Sequence, residues 1–307
     1  MKVLVLNSGS SSIKFQLIDV EREALLAKGL IERVGFKDAI FSYQAPPNAK
    51  EKRILSIPDY QKGISLIIQA LLDPETGVIA HMNEIEAVGH RIVHGGEEFS
   101  DSVVIDESVI QSVEKNIELA PLHNPPNLLG IRAARAELPQ VPMVGVFDTA
   151  FHQTLPERAF IYALPYNYYS EKRIRRFGFH GTSHQYVAQR AADFLDLELE
   201  QTRMITLHLG NGCSIAAING GKSVDTSLGF GTMCGMPMGT RAGDLDPAVL
   251  LYLQEKESMT TADIHRLLYK ESGMLGVSGI SPDMREIEDR AEEGDVRARL
   301  ALDVFAY

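Results

Sequence analysis

Short strand-like runs open this chain. Residues 2–7 (KVLVLN), 12–19 (SIKFQLID) and 24–34 (ALLAKGLIERV) carry apolar residues at strand spacing, with turn residues between them. A Pro-, Asn- and Lys-rich loop is expected near 45–53. The next segment changes period: DYQKGISLIIQALLD places Ile64, Ile67, Ile68, Leu71 and Leu72 on one helical face. IEAVGHRIVHGG reads as a strand ending in glycines. NPPNLLGIRAARAEL reads as a helix, with Asn124 placed to cap it and Pro125 at its first position. VPMVGVFD is a buried strand ending on Asp148.

The second half repeats the theme. GTSHQYVAQRAADFL has helical spacing, with Val187, Ala191, Phe194 and Leu195 on one face and Thr182 and Gln185 at capping-box spacing. RMITLHLG, CSIAAING and KSVDTSLG are three further strand-like runs joined by glycine turns. Asp246 and Pro247 begin another helix, and Thr261–Glu271 forms one more, closed by Gly273. The last residues read as an amphipathic helix with Leu300, Val304 and Tyr307 on one stripe and no terminator. Both halves thus open on three short strands. The pattern predicts a duplicated α/β unit with its hinge near residue 150, giving domains 1–150 and 151–307.

Composition narrows the class. The chain has 307 residues, is 45% apolar and 23% charged, and carries a formal net charge of −11. These values suit a globular protein with a sizeable core. The negative balance argues against a nucleic-acid partner, which requires a clustered basic face. No apolar run approaches a membrane span, and the first residues lack the pattern of a secretory leader. Two cysteines make no disulfide framework. The expectation is a reduced, cytoplasmic protein.

The turns hold the candidate chemistry. LNSGSSSIKF sets successive backbone amides and the hydroxyls of Ser10, Ser11 and Ser12 between two strands, with Lys14 on the face of Ser12 if alternation holds. Such a donor set suits phosphate oxygens, and a solvated hairpin turn would look the same. HLGNGCS repeats the arrangement, its Gly210-Asn211-Gly212 turn permitting close approach of backbone to an anion or making a plain hairpin. Neither these turns nor GGKS at 220–223 meets a Walker A or dinucleotide-binding pattern.

Four further positions carry charge or titrate in telling places. Arg91 lies within a strand, where a cation needs a partner or ligand. His123 precedes a helix. Asp148 ends a buried strand, at the edge where α/β folds hold ligands. His180 lies just ahead of a helix N-terminus, a favourable place for a phosphate. Each equally suits a structural role. His180 and His184 have the i, i+4 spacing of a zinc pair, but no third ligand is evident. Arg241, in the glycine-flanked loop MGTRAGDLD, can reach a transferring phosphoryl group or pair with Asp244 or Asp246.

Taken together, VLVLNSGSSSIKF, VGHRIVHGG, APLHNPPNL, VFDTAFH, RRFGFHGTSH, HLGNGCSI and MGTRAGDLDPA resemble, in order, the motifs of the acetate kinase family. The resemblance implies two ribonuclease H-like domains of the actin-like ATPase superfamily flanking a cleft, the second incomplete here. It implies reversible phosphoryl transfer between ATP and acetate, giving acetyl phosphate and ADP, with Mg2+ or Mn2+ as cofactor. On matching positions, Asn7, Ser10, Ser12 and Lys14 would lie at the phosphate and magnesium end. Arg91 would take the carboxylate, and Asp148 would orient the metal or Arg91. His180 and Arg241 would bind the phosphoryl group in transit, with His123 near the same oxygens. His208, Gly210, Asn211 and Gly212 would meet the ATP phosphates. The acetate pocket maps to Val93, Leu122 and Phe179, with Thr232 where the family usually has a proline.

The resemblance also implies a homodimer formed through the second domain. It implies a continuation beyond Tyr307 bearing an adenosine-binding glycine motif and a metal-associated glutamate. Two alternatives stand beside acetate phosphorylation: a propionate- or butyrate-type kinase, and, for these 307 residues, a fragment that keeps the fold without turnover.

Overall fold

The computed structural model describes residues 1–307. The chain divides into two compact units, Met1–Ala150 and Phe151–Tyr307.

The first unit is built on one eight-stranded sheet. Its strands are β1 (Lys2–Gly9), β2 (Ser12–Asp19), β3 (Ala24–Glu32), β4 (Phe36–Gln44), β5 (Glu51–Ile57), β6 (Ala87–Ile92), β7 (Val103–Val104) and β8 (Met143–Phe147), in the order β5-β4-β3-β2-β1-β6-β8-β7. β1 to β5 form an antiparallel meander. On its other edge β1 pairs in parallel with β6, and β6 with β8. Alternation decides which side is buried: Leu4, Leu6, Ile13, Phe15 and Leu17 are fully or almost fully enclosed, while Val5, Lys14 and Gln16 face outward. Against the apolar face pack α1 (Tyr60–Leu71), α2 (Glu107–Lys115) and α3 (Asn124–Glu137). Asp59 caps α1 by accepting from the Lys62 amide at 2.8 Å. Ile64, Ile67, Ile68 and Leu71 are buried, as their spacing predicts.

β4, β5 and α2 are not evident from sequence pattern. β4 begins on the exposed residues Phe36, Lys37 and Asp38 and then buries Phe41, Ser42 and Tyr43 in succession, so no alternation marks it. The expected loop at 45–53 is shorter, because β5 begins at Glu51.

The second unit holds a three-stranded antiparallel sheet of β9 (Arg203–Leu209), β10 (Cys213–Asn219) and β11 (Lys222–Thr226), in the order β11-β10-β9. β9 has one strand neighbour, where its counterpart β1 has two. Its Ile205, Leu207 and Leu209, on one face by alternation, are 69%, 51% and 60% exposed. The helices are α4 (Glu157–Phe160), α5 (Asn167–Ser170), α6 (Gly181–Phe194), α7 (Pro247–Lys256), α8 (Thr261–Arg266), α9 (Gly273–Ser278), α10 (Met284–Glu292) and α11 (Val296–Ala306). α8 runs on through a π-helical turn, Leu267–Glu271. Asp246 caps α7 as expected.

Three expectations fail here, each for a physical reason. Thr182 does not cap α6: the helix starts at Gly181, behind a left-handed His180, with no side-chain cap. Asn124 likewise does not cap α3, because its amide group is spent on the loop after β6. The apolar stripes of α6 and α11 face outward. Val187, Phe194 and Leu195 are exposed, as are Leu300, Val304 and Tyr307, while the buried contacts are made by His184, Ala188 and Ala192 and by Ala298 and Ala301. Small residues permit the closer approach. No helix is long and apolar enough to cross a membrane.

Candidate functional site

In the first unit the opening turn is a tight β1–β2 hairpin, with Gly9 opposite Ser12 and the exposed Ser10 and Ser11 at its tip. Tyr60 of α1 pins it by donating its hydroxyl to the Gly9 carbonyl. Asn7 lies opposite Lys14 across the hairpin, and Ser12, Lys14 and Gln16 share the outward face. Asn7 and Lys14 line one groove of about 450 Å³ with Lys28, Lys50, Gln16 and Gln44. Strand order thus concentrates amides and ammonium groups on this face.

Arg91, on β6, and Asp148, just after β8, form a two-pronged ion pair. Arg91 Nε donates to Asp148 Oδ1 at 2.9 Å and Nη2 to Oδ2 at 2.6 Å. The Asp148 side chain is 3% exposed and that of Arg91 40%, so the carboxylate is the buried anchor and the guanidinium the accessible part. The hydrogen bond from Arg91 to Asp148, more than their Coulomb attraction, holds the Arg91 pKa above its ordinary value.

The loop after β6 is tied to α3 by two asparagines that pattern reasoning did not single out. The Val93 amide donates to Asn127 Oδ1 at 3.0 Å, and Asn127 Nδ2 donates to the Ser8 carbonyl at 2.7 Å. Asn124 accepts from the His94 amide at 3.3 Å and donates to the His94 carbonyl at 3.0 Å. One buried residue, Asn127, therefore fixes the end of β1 beside Asn7 to the loop beyond Arg91. The signal for it is two asparagines straddling two prolines in HNPPN. His123 is the residue before α3 and acts on His94, which burial and then the nearby His123 push down to about 4. Val93 is buried, whereas Leu122 is 55% exposed, so the first unit places these two pocket candidates in opposite environments.

In the second unit the structure brings most of the expected residues together. His180 and His208 stack with ring centres 4.1 Å apart. Gly212 lies against both His180 and Arg241: a Cβ built there would stand 3.5 Å from His180 Cε1 and 3.5 Å from Arg241 Nη1. Gly210-Asn211-Gly212 is the three-residue connection between β9 and β10. His180 carries φ 57°, a left-handed conformation uncommon outside glycine. Buried His152 holds the preceding residue in place: its Nε2 donates to the Phe179 carbonyl at 3.0 Å, so its Nδ1 accepts from the Ser223 hydroxyl at 2.8 Å. Phe179 is itself buried.

Arg241 has an unusual setting. Its Nη1 donates to the Thr232 carbonyl at 2.9 Å and approaches the Met238 thioether, and no carboxylate reaches it. Burial lowers its pKa. The two aspartates that could have paired with it are engaged elsewhere. Asp244 accepts from the Gly235 amide and Asp246 from the Ala248 amide. Thr232 therefore bears on the site through its carbonyl. The Arg241 loop is braced by Gly273 at φ +62°, where a Cβ would stand 2.0 Å from the Met238 carbonyl oxygen. A half-buried cation lacking a counter-ion is a ready partner for an anion.

No three His, Cys, Asp or Glu side chains converge to hold a metal ion, and both oxygens of Asp148 are bound by Arg91. The zinc spacing of His180 and His184 is not a zinc site, since both ring nitrogens of His184 are bonded to hydroxyls, of Thr206 and Ser214. The donor set favours phosphate and carboxylate anions over a protein-built metal cage.

Known proteins share this architecture. The Acetokinase family profile matches residues 2–307. Acetate kinase of Geobacillus kaustophilus is 54% identical over 99% of this chain and 76% of its own length, and that of Acetivibrio thermocellus is 53% identical over 100% and 77%. Among solved structures, Porphyromonas gingivalis acetate kinase superposes with a TM-score of 0.96 at 49% identity, covering 99% of this chain and 76% of that one. A propionate kinase from Francisella tularensis gives 0.92 at 40%, covering 99% and 77%. Fold and motifs together define a kinase, a phosphotransferase whose acceptor is a carboxyl group, in the mixed α/β architecture of these enzymes. The chain belongs to the acetokinase family.

Proposed function

We propose that this chain transfers the γ-phosphoryl group of ATP directly to acetate, and back, with the first unit handling the carboxylate and the second the nucleotide phosphates. A carboxylate oxygen attacks phosphorus, the bond to the β,γ-bridging oxygen breaks, and ADP leaves. The nucleophile is already ionised near neutral pH, so the protein need move no proton. It must instead stabilise charge spread over three equatorial oxygens in a loose transition state. Arg241 and His180 are assigned to those oxygens, with His123 nearby. Arg91, steadied by Asp148, receives the carboxylate. Asn7, Ser10, Ser12 and Lys14 serve the phosphate end, and His208 with Gly210, Asn211 and Gly212 the ATP phosphates. Val93, Leu122, Phe179 and Thr232 are assigned to the walls around the methyl group. Magnesium enters this reading with the nucleotide phosphates, near Asn7. The resemblance to the family is the ground for a homodimer joined through the second unit, and composition the ground for a cytoplasmic location.

The observation that carries the reading is Arg241: a half-buried guanidinium with no carboxylate, against His180 and the glycine turn. Removing one preorganised donor of this type costs about 10²–10³ in turnover. Arg241→Ala is therefore expected to lower acetyl phosphate formation from ATP and acetate by that factor or more, measured as the hydroxamate. Wild-type turnover by the variant would sink the assignment. ATP binding by calorimetry without turnover of the unaltered chain would leave the fold-retaining fragment. Propionate belongs in the same assay, since one methylene discriminates by only about 1–3 kcal/mol and the Francisella tularensis neighbour is a propionate kinase.

A further inference from the structure

Behind His180 lies a line of buried polar groups to which the transfer reaction assigns no role. Thr206 on β9, Ser214 on β10 and His184 on α6 are 6%, 0% and 1% exposed. Thr206 and Ser214 share a sheet face, because Ser214 pairs with His208, two residues along β9 from Thr206. Four groups connect in sequence: Thr206 Oγ1 to His184 Nδ1, His184 Nε2 to Ser214 Oγ, and Ser214 Oγ to His180 Nδ1, each at 2.8 Å.

Counting protons fixes the direction of this line. A hydroxyl has one hydrogen to donate, and a neutral imidazole has one donor and one acceptor nitrogen. His184 is neutral, its pKa pushed to about 3 by burial and then by His152, His180 and His208. The Thr206 hydroxyl bonds only His184 Nδ1, so its hydrogen must go there. His184 then carries its proton on Nε2 and donates it to Ser214 Oγ. The Ser214 hydrogen is left to point at His180 Nδ1. In the opposite order the Thr206 hydrogen would face no acceptor at a buried site, which costs about 1–3 kcal/mol. Protonating His180 on Nδ1 would strand the Ser214 hydrogen in the same way.

We propose that Thr206, His184 and Ser214 are positioning residues that hold His180 as the tautomer with Nδ1 accepting and the proton on Nε2. His180 is thereby presented as a neutral Nε2–H donor, oriented before any anion arrives. The functional meaning rests on the assignment of His180 to the phosphoryl oxygens, whereas the tautomer itself does not.

The test is nitrogen-15 NMR of the full chain labelled at histidine, which reads which ring nitrogen bears hydrogen. At neutral pH, His180 and His184 are both expected to be protonated on Nε2 and bare on Nδ1. Ser214→Ala removes the donor to His180 Nδ1 and with it the penalty on a proton there. The His180 proton affinity should then rise about tenfold, read as an upward shift of one pH unit in its titration midpoint. The charged and titratable groups facing His180 include His208 from β9, His184 from α6 and Arg241 from its loop, and of these the substitution touches only His184, which loses the acceptor of its Nε2–H. A wild-type His180 protonated on Nδ1 would overturn the proposal, and so would an unmoved midpoint in a folded Ser214→Ala chain. Should that variant not fold, the wild-type tautomers still decide. Failure here leaves the Arg241→Ala assay standing, and the reverse also holds.

Discussion

Two arginines in this chain carry equal charge and stand in opposite circumstances. Arg91 is locked by both oxygens of Asp148, so its position is fixed and its charge largely matched. Arg241 is half-buried with only a carbonyl and a thioether for company. The sequence does not reveal the difference. It offers Asp244 and Asp246 within reach of Arg241, and only the fold shows each spent on a backbone amide. Histidines add a pH dependence at this scale. Burial pushes His90 down to about 4, burial and His123 do the same to His94, and His184 falls to about 3. In the unfolded chain these groups titrate near 6.5. Below that value the unfolded state takes up protons that the folded state refuses, so stability falls as pH falls. Denaturation midpoints should therefore hold steady above about pH 7 and decline between about 6.5 and 4, with two to three protons taken up on unfolding. His90→Leu should flatten the slope by about one proton; an unchanged slope would contradict the burial account.

At the scale of elements, one crossing stands out. α3 passes so close to β1 that a Cβ at Gly130 would stand 2.1 Å from Ser8 Oγ and 2.8 Å from Ser8 Cβ. Asn127, three residues earlier, reaches the Ser8 carbonyl. The same turn of helix thus sets the end of β1 and, through the Val93 amide, the loop beyond Arg91. Alanine ordinarily stabilises a helix interior relative to glycine by about 0.5–1 kcal/mol. Here overpacking reverses the sign, and Gly130→Ala is expected to destabilise by about 1–3 kcal/mol in urea titrations, with a gain in stability excluding the close crossing. Elements differ in how plainly the sequence announces them. α1 is legible because isoleucines at 64, 67 and 68 bury against a broad sheet. The stripes of α6 and α11 are equally clear in the sequence, yet they face outward. Periodicity tells which face is apolar, and the neighbours decide whether it is covered.

For the whole molecule, the repeated run of three strands is the feature that sequence alone makes visible. The strand triplet is present in both units, as β1–β3 and β9–β11, but it opens only the first, since α4, α5 and α6 precede β9 in the second. Part of the candidate cluster is legible too: Gly210-Asn211-Gly212 forms the turn between β9 and β10, His180 stands directly ahead of α6, and Arg241 lies in a loop ahead of α7. The tie through Asn127 and the line behind His180 are not legible, because they depend on contacts that no local pattern records. The sheet of the first unit also implies an order in time. β1 to β5 join neighbour to neighbour through hairpins, whereas β1–β6 pairing joins Val3 to Ala87. Closing that long loop costs entropy before any contact repays it. Pulse-labelled hydrogen exchange during refolding should protect β2–β4 before β6 and β8, and simultaneous protection would refute the order. Arg91 sits on β6 and Asp148 just after β8, the late strands. The nascent chain would hold a finished antiparallel scaffold for some interval before the Arg91–Asp148 pair can form, so the carboxylate grip proposed for that pair would mature after the meander that carries it.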